Sequence, residues 1–266
     1  MNTQLLIEAA ELAAEPSAIV IDCRFSLADP GEGRRLYETG HIPGAHYLDL
    51  NLDLSSAATG RGGRHPLPEP GVFAQTLANL GIAPDSRVIA YDASRFAFAS
   101  RLWWLMRSLG YRPPSLLNGG YQAWLDSGGT ETSELPQPQP VAMIEGGFQG
   151  FCDIGGVRQA QAAGATLVDS REERRYQGLE EPIDPVAGHI PGALNHPWQG
   201  VTEDSGRARD EIGLRQHWGD TLEAEQLVVY CGSGVTACVN LFSLSLLGRD
   251  DATLYAGSWS DWCSYL

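Results

Sequence analysis

His41-Ile42-Pro43-Gly44-Ala45 recurs without a change as His189-Ile190-Pro191-Gly192-Ala193, and an internal repeat settles architecture before any single residue does. The features around the two copies follow the same order. An apolar strand ends in Asp22-Cys23-Arg24 or Asp169-Ser170-Arg171, the five-residue motif follows, and a second apolar strand ends at Tyr91-Asp92 or Tyr230-Cys231. Next comes an apolar helical stretch, then Gly119-Gly120-Tyr121-Gln122-Ala123-Trp124, echoed by Gly257-Ser258-Trp259-Ser260-Asp261-Trp262. The offset falls from 148 at the motif (41 to 189) to 139 at the central strand (92 to 231). The first copy therefore carries about nine extra residues, placed in the Gly/Arg/Pro-rich stretch 51–71.

Each copy alternates short apolar strands with helices, the pattern of an α/β fold in which a parallel sheet is flanked by helices on both faces. The 266 residues suit two such domains better than one. The segment 131–140 holds three prolines and no apolar periodicity, so it propagates neither helix nor central strand. It is expected to link a first domain, 1–130, to a second, 141–266.

The chemistry centres on Leu227-Val228-Val229-Tyr230-Cys231-Gly232-Ser233-Gly234-Val235-Thr236-Ala237. Four apolar or aromatic residues predict a strand covered on both faces, and Val235, Val239, Phe242 and Leu246 recur at helical spacing up to Gly248. Cys231 thus sits at a strand-to-helix turn, where successive backbone N–H groups and the helix N-terminus stabilise a sulfur anion. Gly232 and Gly234 let the loop curl around the sulfur, and Ser233 and Thr236 add hydroxyl donors. In the first copy the same position is Asp92, which cannot carry a transferable sulfur. That domain is expected to be catalytically silent and to wall the cleft.

Cys231-Gly232-Ser233-Gly234-Val235-Thr236 resembles the active-site loop of the rhodanese superfamily, in the form typical of 3-mercaptopyruvate sulfurtransferases. Two-domain rhodaneses that prefer thiosulfate generally carry arginine and lysine where this chain has Gly232 and Ser233. The resemblance runs from Ile19 to Trp262 and implies two tandem rhodanese-like domains. It implies a Cys231 persulfide formed from 3-mercaptopyruvate and passed to a thiol, thioredoxin or cyanide, with no metal or organic cofactor. Within Arg174-Arg175-Tyr176-Gln177-Gly178, Arg175 matches the family's substrate-binding arginine, with Arg174 as the alternative. A second family arginine has no match, since 180–188 holds Asp184 and no arginine. The compensating cation is then Arg34, Arg35, Arg61 or Arg64 of the first domain, or the substrate differs. His41 matches the histidine of a Cys–His–Ser relay through Ser233, with Glu32 or Asp29 as its acidic partner. Its repeat His189, together with Asp22 and Asp169, reads as structural, and Trp259 and Trp262 read as core and cleft wall.

Composition narrows the alternatives. A formal charge of −15 argues against nucleic acid and anionic membrane surfaces, whose binding needs clustered lysine and arginine. No apolar run approaches 18 residues and the first ten residues lack a basic region, which points to a cytoplasmic enzyme; its small anionic sulfur donor is what the resemblance implies. The five cysteines (23, 152, 231, 238 and 263) form no CxxC pair and suit neither a disulfide framework nor a zinc site. Three rivals remain open: a thiosulfate sulfurtransferase, a cysteine phosphatase or arsenate reductase lacking its cradle arginine, and a persulfide carrier that does not turn over.

Overall fold

The computed structural model describes residues 1–266, the Thr3 side chain excepted. The first half forms a five-stranded parallel sheet from β1 (Leu6–Ile7), β2 (Ile19–Asp22), β3 (His46–Tyr47), β4 (Val88–Tyr91) and β5 (Ser115–Leu117), in the order β1-β5-β4-β2-β3. The second half repeats it with β6 (Phe151–Cys152), β7 (Thr166–Asp169), β8 (Leu194–Asn195), β9 (Leu227–Tyr230) and β10 (Thr253–Tyr255), in the order β6-β10-β9-β7-β8. In both sheets the strand before the key loop, β4 or β9, is central and buried throughout. That is why it reads as an unbroken apolar run. The fold is the expected pair of helix-flanked parallel sheets.

The repeated motif proves to be a turn-fixing device. His41 Nδ1 lies 2.7 Å from the Tyr37 carbonyl and its ring stacks on Tyr37, whose hydroxyl donates to the Ala45 carbonyl at 2.8 Å. His189 does the same with Tyr176 (2.7 Å, stacked), and Tyr176 donates to Ala193 at 2.7 Å. Asp22 and Asp169, as expected, are structural: each holds a fork of hydrogen bonds from the buried Arg24 or Arg171 two residues on.

The two halves meet through the helices that follow the key loops, Ala99–Ser108 and Ala237–Leu246. Phe242 of the second lies edge-on to Trp103 of the first, with ring centroids 5.3 Å apart. Ala237–Leu246 is buried on every side, not along one stripe as its spacing suggests, because the other domain covers the face that would otherwise meet solvent.

The extra residues of the first copy cross to the second domain. Gly62 N–H donates to Asp261 Oδ1 at 2.8 Å and Arg64 N–H to Ser260 Oγ at 3.1 Å. Gly63, at φ +85°, passes so close to Gly257 that a Cβ would stand 2.4 Å from its carbonyl oxygen. Arg101 locks this crossing. It is fully buried and donates to the carbonyls of Leu54 (3.3 Å), His65 (3.1 Å) and Gly234 (3.0 Å). No helix among the described residues is long and apolar enough to cross a membrane.

Removing this guanidinium strands several buried carbonyls, each costing about 1 to 3 kcal/mol. Arg101→Met is therefore expected to lower stability by about 3 kcal/mol or more, read as a fall in the urea midpoint. A loss of only a few tenths would show that the carbonyls find other partners.

Candidate active site

Cys231 directly follows β9 and is almost sealed from solvent, at 1% exposure. Its Sγ accepts the Gly234 N–H at 3.2 Å, so the loop does fold back over the sulfur. Gly234 makes the curl possible: it sits at φ +78°, and a Cβ there would stand 2.3 Å from the Ala256 carbonyl oxygen. On the other side, the Cys231 N–H donates to Ser258 Oγ at 3.1 Å. Ser258 holds a left-handed φ of +56°, and its hydroxyl donates in turn to the Tyr255 carbonyl at 3.0 Å. A non-glycine residue in that region is strained, and here the strain lies directly beneath the cysteine.

The first domain shows what such a loop does with an anionic group. The Asp92 carboxyl accepts N–H bonds from Ser94 (2.7 Å), Phe96 (3.2 Å), Phe98 (2.9 Å) and Ala99 (2.9 Å). Four main-chain amides of this loop are thus taken by the side chain itself. In the second domain the thiol takes one amide of the corresponding turn.

Ser233 Oγ lies 2.8 Å from His65 Nδ1, a hydroxyl–imidazole pair between residues 168 positions apart. The sequence reading chose His41 for this place, and the structure does not bring His41 there. Its ring is fully buried, with Nδ1 on the Tyr37 carbonyl and Nε2 at 3.2 Å from the Glu134 carbonyl, so both nitrogens serve the turn. Asp29 pairs with Arg35 on the surface, and Asp29 and Glu32 lose the proposed relay role together with His41. One signal for His65 was present in the sequence: it lies in the insertion that has no counterpart in the second copy.

The cations sort as follows. Arg175 lies beside the loop, its Nη2 2.7 Å from Glu181 Oε1 and 3.2 Å from Asp184 Oδ2. Arg174 points away and pairs with Glu180 in solvent, its side chain 64% exposed, so it is not part of the site. Arg34 lies over the Tyr47 ring and Arg61 over Tyr265, each at the surface and away from Cys231. Arg64 does enter, and is ion-paired with Asp184. A Cβ on Gly232 would meet Arg64 Nη2 at 3.1 Å and both terminal nitrogens of Arg175 at 3.5 Å, so the two guanidiniums sit over the residue next to the cysteine. Val235 turns its side chain into the core, contributing only main chain to the loop, and Thr236 is half-buried at the helix start. Trp259 is core, with Arg171 stacked on its ring at 4.9 Å.

Cys238 is the second sulfur nearby. It donates to the Gly234 carbonyl at 3.4 Å, and burial pushes its thiol up to about 12, which makes it inert.

The rhodanese-like domain model matches this chain twice, at residues 6–127 and 156–265. The chain belongs to the rhodanese family. Its curated relatives are sulfurtransferases. This rhodanese is 44% identical to a Pseudomonas aeruginosa protein named "Probable 3-mercaptopyruvate sulfurtransferase", over 98% of the chain and 96% of that protein. It is 31% identical to the thiosulfate sulfurtransferase of Rattus norvegicus, over 93% of the chain and 85% of the relative. Among solved structures, a 3-mercaptopyruvate sulfurtransferase from Leishmania major superposes with a TM-score of 0.89 at 29% identity, covering 100% of this chain and 76% of that one.

Burial, reinforced by Arg101 and Arg64, pulls the His65 imidazole down to about 4 from an ordinary 6.5, so the ring is neutral at pH 7. The unfolded chain takes up this proton near 6.5 and the folded one resists it until about 4. The contribution of His65 to stability is therefore complete above about 6.5 and is lost as pH falls toward 4. It amounts to at most roughly 3 kcal/mol. His65→Gln is expected to flatten the fall in urea-unfolding free energy across this window relative to wild type. His217, likewise pulled down to about 4 by burial, contributes equally to both proteins. Identical slopes would show that His65 is not the group being titrated.

Proposed function

We propose that this sulfurtransferase draws sulfur from 3-mercaptopyruvate onto Cys231 and passes it to a thiol, a thioredoxin-type protein or cyanide. The observation that carries the reading is the convergence on one cysteine of a curled N–H loop, the Ser233–His65 pair and the Arg175 guanidinium. In this reading residues 1–130 form the silent domain, 131–140 the link and 141–266 the catalytic domain, in a cytoplasmic enzyme.

The Cys231 thiolate attacks the donor's sulfur. An S–S bond forms as the C–S bond breaks, and the electron pair leaves on carbon as the enolate of pyruvate. Protonation of that carbon gives pyruvate; the proton given up by the donor's thiol balances it, passed through the Ser233 hydroxyl and the neutral His65 ring. The acceptor thiolate then attacks the outer sulfur, restoring the Cys231 thiolate. Arg175 binds the donor carboxylate, since a guanidinium pairs with a carboxylate through two parallel N–H bonds. The loop positions Gly232 and Ser233 bring no charge of their own, which favours this monocarboxylate over the thiosulfate dianion. A steady-state comparison of the two donors tests that choice, and equal or better use of thiosulfate would overturn it. A carrier would load once and stop.

Cys231→Ser is expected to abolish transfer without unfolding the protein, because a serine oxygen forms no persulfide. After treatment with donor alone, mass spectrometry of the wild type should find one extra sulfur on the Cys231 peptide. Finding it on Cys238 or Cys263 instead would remove Cys231 from its role.

Arg175→Ala is expected to lower kcat/KM for 3-mercaptopyruvate by about 1.5 to 3 kcal/mol, mainly through KM. Arg174→Ala, which loses only an exposed ion pair, should change it by less than about twofold. The reverse order of effects would move the site by one residue.

A further inference from the structure

A run of alternating charges leads from the core of the second domain to the mouth of the cysteine loop. Asp169 pairs with Arg171 (2.7 Å), Arg171 with Glu181 (3.0 Å), Glu181 with Arg175 (2.7 Å) and Arg175 with Asp184 (3.2 Å). Asp184 pairs last with Arg64, which comes from the other domain. The three acids are sealed, with side-chain exposures of 0, 3 and 2% for Asp169, Glu181 and Asp184. The terminal Arg64 side chain is 31% exposed.

The ends of this run differ in what they leave over. Arg171 spends its donors on Asp169, Glu181 and the Gly188 carbonyl. Arg64 uses Nη1 on Asp184, and Arg175 uses Nη2 on Glu181 and Asp184. Among the described residues, Arg64 Nη2 and Arg175 Nη1 have no hydrogen-bond partner, and Arg175 Nε is buried without one. The two free terminal nitrogens are those that would meet a Cβ on Gly232, at 3.1 and 3.5 Å. Neither of these two nitrogens is sealed, and the Arg64 side chain is 31% exposed, so a ligand oxygen can reach them and take the place of water. Arg64 and His65 also line a cleft of about 280 Å³ whose other walls include Phe25 and Leu27 of the first domain and Ile183 of the second.

We propose that Arg64, delivered by the insertion of the silent domain and aimed by Asp184, is a donor-binding residue that forms with Arg175 a paired-guanidinium site over Gly232 for the carboxylate of a 2-oxo acid. The assignment rests on the reading that Cys231 takes sulfur from such a donor. It gives the silent domain a direct part in recognition, and it gives Asp184 the part of a positioning residue that holds two like charges side by side. A side chain at position 232 would stand against both guanidiniums, and glycine leaves that approach open.

The test uses the full chain and two readouts. Pyruvate, which has the carboxylate but no sulfur to give, should protect Cys231 from alkylation by uncharged iodoacetamide. Arg64→Met should raise the half-protecting concentration about tenfold or more, the loss expected for a charge-assisted contact. Each half-protecting concentration is read relative to the same variant's rate without pyruvate, because the Arg64 charge acts on Cys231 and its loss alters the intrinsic rate. With 3-mercaptopyruvate, the same variant should raise KM by a similar factor and leave kcat nearly unchanged, because the contact exists in ground and transition states alike. Arg64→Lys preserves the ion pair with Asp184 but has no second nitrogen to offer. It too must weaken protection, and it decides the matter if the methionine variant does not fold. Unchanged protection and KM in a folded Arg64 variant would overturn the assignment. Failure of wild-type Cys231 to gain sulfur from 3-mercaptopyruvate would overturn the donor reading instead, and the pyruvate readout would still decide the role of Arg64.

Discussion

Arg101 is a guanidinium with no carboxylate among the described residues to neutralise it, fully buried between two sheets, and its hydrogen bonds go to main-chain carbonyls from three parts of the chain. Burying a charge this way is tolerated only where many dipoles surround it. Here those dipoles belong to the inserted loop of the first domain and to the cysteine loop of the second. The bond to the His65 carbonyl holds the imidazole against Ser233, and the bond to Gly234 holds the turn that covers the sulfur. The geometry of the site thus depends on one side chain from the domain that carries no nucleophile.

The same dependence appears in the electrostatics. A chain of net charge −15 repels anions at long range, so an anionic donor needs a local arrangement of cations. That arrangement is built by pairing Arg64 and Arg175 with the buried acids Asp184 and Glu181, which fixes each guanidinium in place at little net local charge. Unused N–H groups, not excess charge, then face the ligand. Such a site discriminates by direction and spacing, and salt screens it less than an exposed patch.

The duplicated halves also show how one loop can serve two ends. With Asp92 in the first copy the loop closes on its own side chain and becomes a rigid corner of the interface. With Cys231 in the second, the sulfur takes one loop N–H where the Asp92 carboxyl takes four. The identical five-residue motifs fix the same histidine–tyrosine turn in both copies, so their identity reports folding, not chemistry.

What the sequence determined by itself was local or periodic. The repeat implied two equivalent sheets, the apolar runs marked β4 and β9 as central, and the glycine-bearing turn marked Cys231 as the candidate nucleophile, because strand period, helix start and turn chemistry act over a few residues. Arg175 was legible from its short segment, whereas Arg174 beside it could be set aside only from the outward direction of its side chain. His65 was passed over for His41, and Arg64 stood among four first-domain arginines that local reading could not separate. Their partners Ser233 and Asp184 lie 168 and 120 positions away, and nothing in local propensity encodes a contact across that distance. Only the docking of two sheets, with Arg101 between them, decides which histidine and which arginine arrive at the sulfur.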